Sequence, residues 1–159
     1  MKNNELVLIL TYYQTAERIR QILKELDIDV EEYEKENDLI IIEDSIEIHS
    51  GYTEDFLSLL KTLDKQQEKR GKNGLSVIAD MGVFFHFQNN KDVLLDFESS
   101  LPLKFDMNVK RICTYHMGDF ERFEQYEKDN LIKPHHRRIK VLPKIVGEDG
   151  HRHTTSILS

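Results

Sequence analysis

The sequence predicts a three-layer α/β fold: a mostly parallel sheet of about five strands with helices on both faces. Two observations predict it. Short runs such as Leu75-Ser76-Val77-Ile78-Ala79-Asp80 are apolar without polar alternation, as suits strands covered on both faces. Between such runs lie stretches whose apolar residues recur at helical spacing, and strands alternating with helices imply βαβ units. In an open sheet of this kind the carboxyl ends of the strands face the ligand crevice, which puts Asp80 at its mouth.

Glu5-Leu6-Val7-Leu8-Ile9-Leu10-Thr11 reads as the first strand. Tyr12-Tyr13-Gln14 leads to Thr15, an N-cap for a helix carrying Ala16, Ile19, Ile22, Leu23 and Leu26 on one face. That helix ends near Asp27, and acidic polar sequence runs on to Asn37. Leu39-Ile40-Ile41-Ile42-Glu43 is the second strand, closed by Asp44-Ser45. After His49, Ser50 and Gly51, Thr53 caps a helix with Phe56, Leu57, Leu60 and Leu63 buried, which stops at Gly71.

The third strand follows, introduced by Gly71 and Gly74, and then the aromatic stretch Val83-Phe84-Phe85-His86-Phe87. Asp92 to Leu101 carries Val93, Leu94, Phe97 and Leu101 at helical spacing before Pro102. Val109 to Tyr115 is strand four. Asp119 is expected to cap a helix whose Phe120, Phe123 and Tyr126 share a face. Ile139-Lys140-Val141-Leu142, before Pro143, reads as an edge strand. Residues 1–146 thus form a single domain, and residues 147–159 read as a flexible tail.

Composition narrows the class. At 159 residues, with 39% hydrophobic and 32% charged, the chain suits one well-solvated domain. No apolar run approaches the roughly 20 residues that span a bilayer, so no membrane partner is expected. Met1 to Glu5 passes straight into a strand pattern and leaves no room for a signal peptide. The single cysteine, Cys113, excludes an internal disulfide and fits a cytoplasmic setting. A net charge of −7 makes nucleic acid an unlikely partner. The charge is uneven: Glu25 to Asp38 holds eight acids and one lysine, Asn130 to Gly147 five basic residues and no acid. A solvated acidic helix end and a basic surface strand account for this; a self-complementary contact between copies is the alternative.

No phosphate-cradling motif is present. Gly71-Lys72-Asn73-Gly74 follows a helix and precedes a strand, so it is a turn with no helix N-terminus behind it. Thr11-Tyr12-Tyr13-Gln14 after the first strand would crowd a pyrophosphate. Without a P-loop, Asp80 reads as a capping or hydrogen-bonding acid rather than a metal-orienting one, and Asp44 likewise. His116, His135, His136, His151 and His153 have no Cys or carboxylate at ligand spacing, so no metal or other cofactor is expected. Cys113 and Tyr115 share a strand face, and a buried structural thiol is expected there, beyond the reach of His116. The aromatics Tyr12, Tyr13, Phe84, Phe85, Phe87 and Tyr115 fall at or beyond strand ends. Core packing is their ordinary role; lining an apolar small-molecule pocket with Asp80, His86 and His116 as its polar fringe is the functional one.

Leu75 to Met81, Leu95-Asp96-Phe97-Glu98 with Leu101, Ile112-Cys113-Thr114-Tyr115 with Phe120, and Pro134-His135 resemble the MEDS domain, the methanogen/methylotroph sensory domain, over about residues 5–140. The resemblance implies a degenerate relative of RecA/KaiC-type ATPases, RecA-like without a P-loop, starting at what would be the second ancestral strand. It implies a non-catalytic sensory role: binding a small organic ligand and signalling through a protein partner or a homo-oligomer. On the family's pattern Asp80, Glu98, Cys113, Tyr115 and His135 carry over as site residues. Two other readings stay open: a divergent nucleotide-binding protein or ATPase, and an interaction module using the basic C-terminal segment.

Overall fold

The structure, a computed structural model, describes residues 4–43, 53–86, 91–101, 106–133, 135, 138–141 and 155–158, without the side chains of 53–54, 86, 138–141 and 155–158. Strand β1 (Leu6–Thr11) is followed by α1 (Ala16–Glu25), α2 (Val30–Lys35) and β2 (Leu39–Glu43). Helix α3 (Thr53–Lys69) leads into β3 (Leu75–Asp80), α4 (Gly82–His86) and α5 (Lys91–Ser100). Then come β4 (Val109–His116), α6 (Met117–Phe120), α7 (Gln125–Ile132), β5 (Arg138–Val141) and β6 (Thr155–Leu158).

The sheet order is β2-β1-β3-β4-β6-β5. Strands β2, β1, β3 and β4 are parallel, with Leu8 level with Ile40 and Val77, and Asp80 level with Thr114. Strand β6 runs antiparallel to both β4 and β5, so β5 keeps the common direction and takes the expected edge. Residues 147–159 were expected to be a loose tail, yet Thr155–Leu158 enter the sheet between β4 and β5. The polar Thr154-Thr155-Ser156 hides a short β-compatible stretch from an apolar-run criterion.

Alternation along the strands sorts the two faces. Leu6, Leu8, Leu10, Leu75, Val77, Ala79, Cys113 and Tyr115 join Phe56 and Leu60 of α3, Phe84 of α4, Leu94 and Phe97 of α5 and Leu131 of α7 in one core. Val7, Ile9, Ile41 and Ile78 point the other way, onto Ile19 and Leu23 of α1 and Val30 and Tyr33 of α2. Each fully buried Leu or Phe contributes roughly 2 kcal/mol, so the two clusters pin the sheet between its helical layers.

Local chemistry explains the boundaries. Thr15 caps α1, its side chain accepting from the Arg18 N–H at 3.1 Å. Gly71 ends the chain's run out of α3 with φ +67°, in the left-handed region glycine favours. The acidic stretch after Asp27 is not irregular: Asp29 caps α2, accepting from the Glu32 N–H at 3.0 Å. Its charge is met by the chain's own bases. Arg20 binds Glu34 through Nε and Nη2, Lys24 reaches Glu31 at 2.8 Å, and Asp38 pairs with Arg70 and Lys72. Asp119 is not a cap, contrary to expectation. It lies inside α6, while α7 begins at Glu124 with a capping box closed by Glu127.

Candidate functional site

Chain connectivity singles out one place. The connection leaving β1 packs on one face of the sheet, and the helices after β3 pack on the other. Between the carboxyl ends of such neighbours the chain parts in opposite directions and leaves a crevice. A cavity of about 430 Å³ sits there, on the α1 side, lined by Leu10, Thr11, Tyr13, Gln14, Ile19, Ile78, Asp80, Thr114 and His116 among others.

The loop over this crevice is held by Asp80. Its Oδ2 accepts the N–H groups of Tyr12 at 3.3 Å and Tyr13 at 3.0 Å, and its Oδ1 that of Gly82 at 2.9 Å. Thr11 Oγ1 donates to the Gln14 carbonyl at 2.6 Å and tightens the same turn. A phosphate at this position would look for just those loop N–H groups; here a carboxylate already takes them. The N-terminus of α1 is met likewise, the Ala16 N–H donating to Glu43 Oε2 at 2.5 Å. Two acids therefore disfavour an anion at this end of the sheet.

Tyr13 closes one side. Its phenol donates to Asp119, its ring lies 5.1 Å from that of His116, and a Cβ on Gly82 would land on it. Burial pushes the Asp119 carboxyl above its ordinary range, against the opposing pull of Arg122. Thr114 Oγ1 donates to the Ala79 carbonyl at 3.2 Å, so its methyl and the Ile78 side chain give the floor an apolar character.

A second constellation lies on the other face of β4. Glu98 of α5 is 1% exposed, and its Oε1 accepts from the Tyr115 phenol at 2.8 Å. Its Oε2 stands 3.6 Å from Arg111 Nη2 and 3.8 Å from His135 Nε2, and accepts no hydrogen bond from the described residues. His135 Nδ1 lies 2.7 Å from the Leu131 carbonyl, to which it must donate. Cys113 is buried in the same cluster: its Sγ, a Glu98 oxygen and a His135 nitrogen lie within 4.8 Å of one another. Burial first, and then Glu98, push the Cys113 thiol and the Tyr115 phenol well above their ordinary values. Both are protonated at neutral pH.

The expected site residues thus divide between two faces. Tyr13, Asp80 and His116 line the crevice, and Tyr12 packs beside it against the larger core. Glu98, Cys113, Tyr115 and His135 gather in the buried cluster. Phe84 joins neither; it is 1% exposed and packs on Phe97 with ring centroids 5.2 Å apart. The side chain of His86 and residues Asp44, Phe87, His136, His151 and His153 lie outside the described residues. Sequence reasoning passed over Thr114, Ile78 and Ile19 in the crevice and Arg111 in the cluster. Strand alternation from Asp80 and His116 points to the first two; Arg111 follows from Cys113 and Tyr115 by the same rule.

Four parallel strands flanked by helices, with a crevice at the switch point between β1 and β3, define an α/β domain. The family model described as MEDS, the MEthanogen/methylotroph, DcmR Sensory domain, matches residues 1–136, and the chain belongs to that family of sensory domains. No curated protein and no solved structure matches it. Among the described residues, no helix is long and apolar enough to cross a membrane.

Proposed function

We propose that this sensory domain binds a small uncharged or cationic organic molecule in the crevice between β1, β3 and β4. The observation that carries the reading is the cavity of about 430 Å³ at the switch point, floored by Ile78 and Thr114 and walled by Tyr13, Ile19 and His116. That volume and a mostly apolar lining with a few polar groups suit a small ligand. Asp80 and Glu43, already seated on the loop and helix N–H groups, make a nucleotide the poorer occupant. The signal leaves through contacts with another protein or a second copy.

The reading is tested by ligand-detected saturation-transfer NMR with short-chain alcohols, halomethanes, alkylamines and Mg-ATP. One or more of the organic probes should bind, and Thr114→Trp, which fills the floor, should abolish the signal in a folded chain. Binding by Mg-ATP alone, binding unchanged in T114W, or no binding by any probe would overturn it.

A further inference from the structure

We propose that Glu98, Cys113 and His135 form a site for one divalent transition metal ion of the zinc class, on the face of β4 opposite the crevice. The donor set is the first argument. Thiol, imidazole and carboxylate together are the side chains Zn²⁺ takes, and hard ions such as Mg²⁺ do not choose sulfur. All three donors are brought within 4.8 Å of one another by three separate elements. In a tetrahedral zinc site such atoms stand about 3.3–3.6 Å apart, so closing on an ion takes a side-chain rotation of roughly 1 Å.

The surroundings are the second argument. Metal-bound histidines characteristically donate their other ring N–H to a carbonyl or carboxylate, and ligating carboxylates are themselves hydrogen-bonded. Here His135 Nδ1 is on the Leu131 carbonyl, and Tyr115 holds Glu98 Oε1. That turns Nε2 toward the carboxylate oxygen Oε2, 3.8 Å away. An ion between these two atoms would be met by an imidazole nitrogen and a carboxylate oxygen at once. Oε2 is buried and accepts no hydrogen bond from the described residues, with Arg111 Nη2 3.6 Å away.

Balance is straightforward. Cys113 gives up its thiol proton to solvent as the sulfur–metal bond forms, His135 supplies the Nε2 lone pair, and Glu98 supplies Oε2. Thiolate and carboxylate then neutralise the ion. Arg111, 3.6 Å from Glu98, balances the carboxylate without the ion.

The test uses the full chain after chelator treatment, titrated with Co²⁺ and then Zn²⁺. One Co²⁺ per chain should bind with a thiolate-to-cobalt charge-transfer band and tetrahedral d–d bands, and Zn²⁺ should displace it. Cys113→Ser should abolish the charge-transfer band, and both C113S and His135→Ala should weaken Zn²⁺ binding by about 100-fold or more. The double variant H151A/H153A should bind as the wild type does. Cobalt bound without a charge-transfer band, binding lost in H151A/H153A, or no binding at all would overturn the proposal. The spectrum is read in the wild-type chain, so it decides the matter even if C113S does not fold.

Discussion

The phenol of Tyr13 donates to the carboxylate of Asp119, joining residues 106 positions apart across the mouth of the crevice. The ring that reaches over lies on Gly82, where there is no side chain to obstruct it. A wall of the crevice therefore depends on a missing Cβ.

Gly82→Ala should push the Tyr13 ring aside and destabilise the chain by about 1–3 kcal/mol. Tyr13→Phe should cost about 1 kcal/mol through the lost hydrogen bond. In a Tyr13→Ala background the Gly82 substitution should cost far less. Urea unfolding of the two single variants and the double variant measures this coupling; additive losses would show that ring and glycine do not interact.

Asp80→Ala leaves three backbone N–H groups without their carboxylate, at Tyr12, Tyr13 and Gly82. The expected loss is about 3 kcal/mol, with Asp80→Asn intermediate because its one oxygen still accepts. Hydrogen exchange should quicken at those three amides before it does in the strands. Uniform quickening would contradict a local clamp.

Acid should weaken the fold through Glu5 and Glu127. Lys110 and then Ser76 hold Glu5 below its ordinary value; the Lys91 hydrogen bond does the same for Glu127, against its burial. Folded values below unfolded ones mean stability that is present above the ordinary glutamate value of about 4.3 and lost as pH falls through the lowered ones. Urea midpoints between pH 6 and pH 2 should fall along that window, and Lys91→Met should flatten the fall. An unchanged slope in K91M would assign the acid sensitivity elsewhere.

Cys113, buried and held protonated, should react with a thiol reagent at least about 100-fold slower in the native chain than in urea, because attack waits for opening. Comparison of the two labelling rates by mass spectrometry checks it. Fast native labelling would place the thiol at the surface.

Strands β1, β2 and β3 were readable because each is a nearly continuous apolar run, and the caps at Thr15 and Gly71 because their chemistry is local. Helix α2 was not: its glutamates mask the apolar Val30 and Tyr33, and only Asp29 signals a start. Asp119 looked like a cap because an acid before Phe120 usually is one, but tertiary contact with Tyr13 decided its role. Tyr13, Asp80 and His116 could be placed near one another from strand ends alone. The meeting of Glu98, Cys113 and His135 could not, since helix, strand and loop bring them together from distant parts of the chain, with no spacing rule to announce it. Family resemblance named all three without showing that they touch.

Strand β4 shows Thr114 and His116 to one side and Cys113 and Tyr115 to the other. It stands between the crevice and the buried Glu98, Cys113 and His135 cluster. Under the two proposals above, an occupant of the crevice that displaced β4 would change the spacing of the donors behind it, and an ion there would reshape the crevice in return. Reciprocity of this kind is thermodynamically obligatory. A wall one strand thick would make the affinity in each chamber a gauge of what fills the other.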